Sequence, residues 1–152
     1  MEPTQTPTPD APQASKPKRP FHPLLTALLS CAVVTIIAAF MAWAKVGSLA
    51  ISGLDGDGGI TIFLAIVGGL SVAIWRGRTW VLIVNLILAL LVTLIAIVDV
   101  ADINRVADGV SGIVSVSTGI GLWVTLIAGI AWAAIAIVSL AGKRKFRPAV
   151  AT

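Results

Sequence analysis

Charge is what this chain of 152 residues has least of: 12% of its residues are Asp, Glu, Lys or Arg, where a soluble domain carries about a quarter. With 57% hydrophobic residues and a mean hydropathy of +0.99, the shortage excludes a soluble globular enzyme and a disordered chain. Neither combines so much apolar surface with so few charges. Cysteine occurs once, at Cys31, so no intrachain disulfide can form. Cys31 lies inside an apolar run and reads as a small buried residue; a lipidated cysteine would sit nearer the membrane edge. Histidine also occurs once, at His22. Proline is almost confined to residues 1–23, which hold seven of the eight.

Those first 23 residues form a Pro-rich, basic stretch with little to bury, and are expected to be a disordered tail. Four apolar runs follow: Leu24–Ala44, Gly58–Trp75, Thr79–Val98 and Gly119–Gly142. About twenty residues at 1.5 Å each cross a hydrocarbon core near 30 Å. The expected fold is therefore an all-α membrane protein, a four-helix transmembrane bundle over 24–142, with helices at about 24–44, 58–75, 79–98 and 119–142. Residues 143–152 form a second basic tail. Continuous apolar runs exclude a strand-alternating barrel. The first run has a basic flank and a small-residue Ala42-Trp43-Ala44 end, like a signal peptide. It is longer than the 7–15-residue core of such peptides, and is read as a retained helix.

The few charges are sorted by sign. With the N-terminus inside, Lys16, Lys18, Arg19, Arg76, Arg78, Lys143, Arg144, Lys145 and Arg147 fall on the inner face, nine of the 11 basic residues. Lys45 and Arg105 fall outside with Asp55, Asp57, Asp99, Asp102 and Asp108. This bias places both termini in the cytoplasm and makes Arg76, Arg78, Lys143, Arg144 and Lys145 inner-face anchors. Trp75 and Trp80 flank the inner turn, and Trp43 and Trp123 stand at the outer ends, as interfacial aromatics do; only Trp132 falls in mid-helix. The net charge of +4 is spent at membrane edges, and no segment interleaves aromatics with a basic groove, so nucleic acid is not an expected partner. The short Arg76-Gly77-Arg78 link makes helices two and three antiparallel neighbours.

Helices in lipid associate through close packing of small residues. Helix one offers Ala27, Cys31, Thr35 and Ala39, helix two Ala65, Gly69 and Ala73, and helix four Gly121, Thr125, Gly129 and Ala133. Each set lies on one face, so helices one, two and four are expected to pack together. Helix three is leucine-rich, with Asn85 as a polar residue expected to bond a neighbouring carbonyl or threonine. No Asp, Glu, Lys, Arg or His falls in the middle of any run, which argues against a proton-coupled transporter or an ion pump.

Outside, Asp55-Gly56-Asp57-Gly58 reads as a turn leading into helix two. A calcium loop needs more oxygen ligands and a distant glutamate, so no metal is expected. Val100, Ile103 and Val106 have helical spacing, whereas Ile113-Val-Ser-Val-Ser and Ser48-Leu-Ala-Ile-Ser alternate as short strands that would pair in a small extracellular β element beside a short helix. His22 lies across the membrane from every outer aspartate, and no catalytic triad, metal cluster or phosphate-cradling loop is present. No enzyme activity and no cofactor are expected.

Ala42-Trp43, Gly47, Ile51-Ser-Gly-Leu-Asp-Gly-Asp-Gly and Ile60-Thr, with Thr118-Gly-Ile-Gly-Leu-Trp before helix four, resemble small uncharacterised four-helix membrane proteins of actinobacteria. The resemblance covers roughly residues 40–142. It implies a four-helix membrane architecture and an actinobacterial or actinophage origin, and it carries no activity with it. The expected function is a non-enzymatic accessory or interaction protein of the plasma membrane, its partners the lipid bilayer and a membrane protein or a second copy. The alternative is a phage- or prophage-encoded superinfection-exclusion or defence protein, or a small oligomeric channel.

Overall fold

The structure, a computed structural model, describes residues 23–75, 78–110, 112 and 114–145. The tail over 1–22, Arg76, the side chains of Lys143, Arg144 and Lys145, and the tail from 146 onward lie outside the described residues. In chain order the elements are α1 (Pro23–Ala39), β1 (Ala42–Val46), β2 (Leu49–Ser52), a 3-10 turn (Gly53–Asp55), α2 (Gly58–Ile74), α3 (Thr79–Gly109), β3 (Val116–Thr118) and α4 (Ile120–Lys145). Among the described residues two helices, α3 and the Ile120–Gly142 part of α4, are long and apolar enough to cross a membrane; α1 and α2 are apolar but have 17 residues each.

The first helix is shorter than its apolar run. α1 starts on Pro23, whose fixed φ suits a first helical turn, and stops at Ala39, not at residue 44. Phe40 and Met41 donate to the Ile37 and Ala38 carbonyls at 3.1 Å, a tightened last turn. The next residues enter β1, where sheet bonds satisfy their backbone groups. Hydropathy does not separate an apolar strand from more helix. The third helix is longer than expected: it continues past Val98 to Gly109 because Val100 and Ile103, one turn apart, pack against Ala39, Trp43, Ala96 and Leu122. The separate short helix of the outer loop is thus the end of α3. The expected pairing of two loop strands is also revised. The sheet order is β2-β1-β3, both pairings antiparallel, with the end of the first apolar run as the central strand. A two-residue turn joins Val46 to Leu49, and Gly47 takes φ +59°, which glycine adopts without cost.

α1 packs against α2 and α4, and α3 packs against the same two, so the helices form a ring. The ends of α1 and the starts of α2 and α4 meet the sheet at one end of the ring, and Asp99 of α3 lies near Asp57 there. The pairing of α3 with α4 is the most extensive in the molecule. The leucine-rich helix is therefore a principal packing partner, beside the packing of α1 on α2 and α4. Gly129 shows the reason. A Cβ there would lie 2.6 Å from Thr93 Oγ1 of α3, so glycine lets these backbones approach.

The interior combines large apolar side chains such as Leu28, Val72, Leu122 and Trp132 with many small ones, and the exterior of the helices is also apolar. Small residues such as Ala32, Ala65, Ala89 and Ala136 are fully or almost fully buried, while Val33, Ile37, Phe63, Leu70, Ile87, Leu94, Ile127 and Ile137 are exposed.

Candidate functional site

Among the buried polar side chains, Thr35, Thr61, Thr125 and Ser139 each donate to the carbonyl one turn back, whereas Asn85 and Ser71 meet between helices beside the Trp132 indole. Asn85 of α3 is fully buried and uses both of its amide hydrogens: Nδ2 donates to Ser71 Oγ of α2 at 2.9 Å and to the Val81 carbonyl of its own helix at 2.9 Å. Its Oδ1 accepts from Trp132 Nε1 of α4 at 3.2 Å. Ser71 Oγ donates onward to the Gly68 carbonyl at 2.7 Å. Reversing the amide would set Oδ1 against the Val81 carbonyl, acceptor to acceptor, so the network fixes its orientation. Three helices are tied by one chain of donors, Trp132 to Asn85 to Ser71 to Gly68.

Trp132 requires Gly68 beside it. A Cβ on Gly68 would collide with the six-membered ring of Trp132, at Cζ2 and Cη2, and would sit 3.3 Å from Asn85 Oδ1. Thus α2 presents bare backbone to the indole. An amide, a hydroxyl and an indole include no nucleophile with a base. The network can hold helices in one register but cannot transfer a proton or an acyl group.

At the sheet end, Trp43 of β1 is 4% exposed. The expected interfacial anchor is therefore a core residue. Its Nε1 donates to the Ala38 carbonyl at 3.0 Å, serving a carbonyl at the end of α1. Trp123, near the start of α4, is exposed instead, and its Nε1 donates to Thr118 Oγ1 at 3.2 Å. At the opposite end Trp75 and Trp80 are exposed with ring centroids 5.3 Å apart, and Arg78 is exposed beside them.

The predicted turn residues take specific roles. Asp55 accepts from Ser52 N at 3.2 Å and Ser52 Oγ at 2.9 Å, closing the 3-10 turn. Gly56 N donates to the Gly53 carbonyl at 3.1 Å. The Asp57 carbonyl accepts from Thr61 N and Thr61 Oγ1, the first bonds of α2. Gly58 is packed so close to Gly53 that a Cβ would collide with that carbonyl. Among the expected packing residues, Gly69, Gly121, Gly129 and Ala133 are buried and Ala73 is half-buried. Asn85 bonds a backbone carbonyl, that of Val81 in its own helix, and across helices a serine and a tryptophan rather than a threonine. Gly68, Ser71 and Trp132 were not singled out from sequence. The available signal was Trp132 as the mid-helix tryptophan, because a buried indole N–H wants an acceptor, and Asn85 was the amide at similar depth.

Just past the apolar part of α3, Asp99 is half-buried and its Oδ2 has no hydrogen-bond partner among the described residues. Burial pushes its carboxyl up to about 6, and the nearby Asp57 and Asp102 charges add to the rise. One turn on, Arg105 and Asp102 form an exposed ion pair at 3.1 Å, of little weight for stability.

No family model, no curated protein and no solved structure matches the chain.

Proposed function

We propose that the chain is a multi-pass protein of the bacterial plasma membrane, a four-helix membrane bundle with both termini cytoplasmic, acting as a non-enzymatic accessory or interaction protein. The observation that carries the membrane reading is the large apolar surface on all four helices, with Val33, Phe63, Leu90 and Ile127 among the outward residues. A water-exposed protein rarely shows apolar patches beyond a few hundred Å². Asn85, Ser71 and Trp132 are bonded to one another between the helices, and the buried Thr35, Thr125 and Ser139 donate to carbonyls one turn back, as a medium without water demands. The exposed Trp75–Trp80 pair with Arg78 suits the inner boundary. Nine basic residues on that side support the orientation.

The interaction role is supported by a shallow apolar groove between α1 and α4, where Ser30, Cys31, Ala128 and Ala131 lie beside Val34 and Val124. Small residues at a helix surface are the means by which helices approach in lipid. Affinity purification of the full chain from native membranes should recover a stoichiometric partner that is lost on substitution of the exposed groove residue, Ser30→Leu. Recovery of the protein alone, from membranes solubilised in several mild detergents, would refute the role. Extraction by alkaline carbonate would refute the membrane reading itself.

A further inference from the structure

We propose that the β1–β2 hairpin is a lipid-contacting element whose apolar face settles into the outer boundary of the bilayer. The inference rests on the membrane-spanning reading above and goes beyond it, because hairpins between membrane helices ordinarily stand in water.

The sheet has two unlike faces. Residues directly paired across antiparallel strands share a face. Val46 pairs with Leu49 and Val116, and Ala44 pairs with Ile51 and Thr118, so these six share one face. Lys45, Ala50 and Ser117 are paired on the other face, and all three are exposed. On β1 and β3 the first face is half-buried. On the edge strand β2 it is not: Leu49 is 71% exposed and Ile51 38%, and Leu54 in the next turn is 48% exposed.

Helix length says what covers these side chains. α1 and α2 have 17 residues each, about 25 Å at 1.5 Å per residue, against a hydrocarbon core of about 30 Å. The apolar part of α3, residues 80–98, spans about 28 Å by the same rise. On the side of α1 and α2 the apolar surface therefore ends several ångströms early unless the hairpin continues it. The apolar run at the end of α1 does continue, through Phe40 and Met41 into β1. Val33 and Ile37 of α1 and Phe40 just past its end are exposed at helical spacing, a strip that leads toward the hairpin. The free edge of β2 limits the depth. Unpaired backbone groups are costly in hydrocarbon, so the hairpin lies at headgroup level, where water serves the edge while Leu49, Ile51 and Leu54 point into lipid.

Single cysteines at Leu49→Cys, Leu54→Cys, Lys45→Cys and Leu90→Cys, in a Cys31→Ser background, would be labelled with bimane in vesicles of phosphatidylethanolamine and phosphatidylglycerol. Iodide and spin-labelled lipids serve as quenchers. Leu49→Cys and Leu54→Cys should emit to the blue of Lys45→Cys. They should also resist iodide and be quenched best by lipids labelled near the headgroup. Iodide quenching equal to that at Lys45→Cys overturns the inference, and so does protection from iodide without lipid quenching, accompanied by Leu49→Cys disulfide dimers, which assigns the face to a second copy. Leu90→Cys separates the two failures. Quenching there by mid-chain labels keeps the membrane reading whatever the hairpin does; its absence removes both.

Discussion

Gly68→Ala is the substitution on which helix propensity and tertiary packing disagree most. Alanine is favoured over glycine in a helix interior by about 1 kcal/mol, so α2 read alone predicts a more stable protein. In the fold, the new methyl collides with Cζ2 and Cη2 of the Trp132 ring. The ring cannot simply rotate away, because its N–H is held by Asn85 Oδ1 at 3.2 Å and the residue is fully buried. Overpacking of this kind costs about 1–3 kcal/mol, so the net change should be destabilising by up to about 2 kcal/mol after the propensity gain. Trp132→Phe removes the two ring carbons that collide. In that background Gly68→Ala should be neutral or stabilising, which gives a coupling energy of about 1–3 kcal/mol. Unfolding in mixed micelles of increasing dodecyl sulfate content, followed by circular dichroism, measures all four corners of the cycle. A Gly68→Ala variant more stable than the parent would refute the packing argument, as would an equal effect with Phe at position 132.

Asn85→Leu keeps the approximate volume but removes two interhelical bonds, each about 0.6 kcal/mol in membrane proteins, and orphans the Trp132 N–H at a cost of about 1–3 kcal/mol. A loss near 2 kcal/mol is expected by the same titration, with Ser71→Ala costing less because Asn85 retains the Val81 carbonyl. Gly129→Ala should destabilise more than Gly69→Ala, since the added Cβ would sit 2.6 Å from Thr93 Oγ1 in the first case but 3.6 Å from Ala32 and Leu29 in the second; equal midpoints would contradict that geometry. Asp99 holds its proton more tightly in the folded state, about 6 against 3.8, so stability should rise as pH falls from about 7 toward 4. Solvent screening limits the effect to the order of 1 kcal/mol. Asp99→Asn should raise stability at pH 7.5 and flatten this window; an unchanged pH profile would show that the carboxylate is already solvated.

Hydropathy and the sorting of charge were enough to place four helices and the turn at Asp55–Gly58, because both are sums over local residues. Helix two was legible almost to the residue, for Asp57 and Gly58 mark its start within the sequence itself. The ends of α1 and α3 were not. Whether Ala42–Val46 continues a helix or joins a sheet depends on partners 3 to 74 residues away, in Leu49–Ser52 and Val116–Thr118. Val100 and Ile103 carry α3 onward only because Trp43 is there to receive them.

The polar network divides the same way. Sequence alone determined that Asn85 lies in an apolar helix and must find partners, since an amide costs energy in hydrocarbon wherever it sits. Which partners it found was decided by tertiary structure. Gly68 lets Trp132 reach the space between α2 and α3, and there its indole meets the one acceptor that Asn85 has left after its amide hydrogens are bonded to Ser71 and Val81. Burial requirements belong to single residues and can be read along a chain; hydrogen-bond partners and steric exclusion belong to pairs, and pairs exist only once the helices have met.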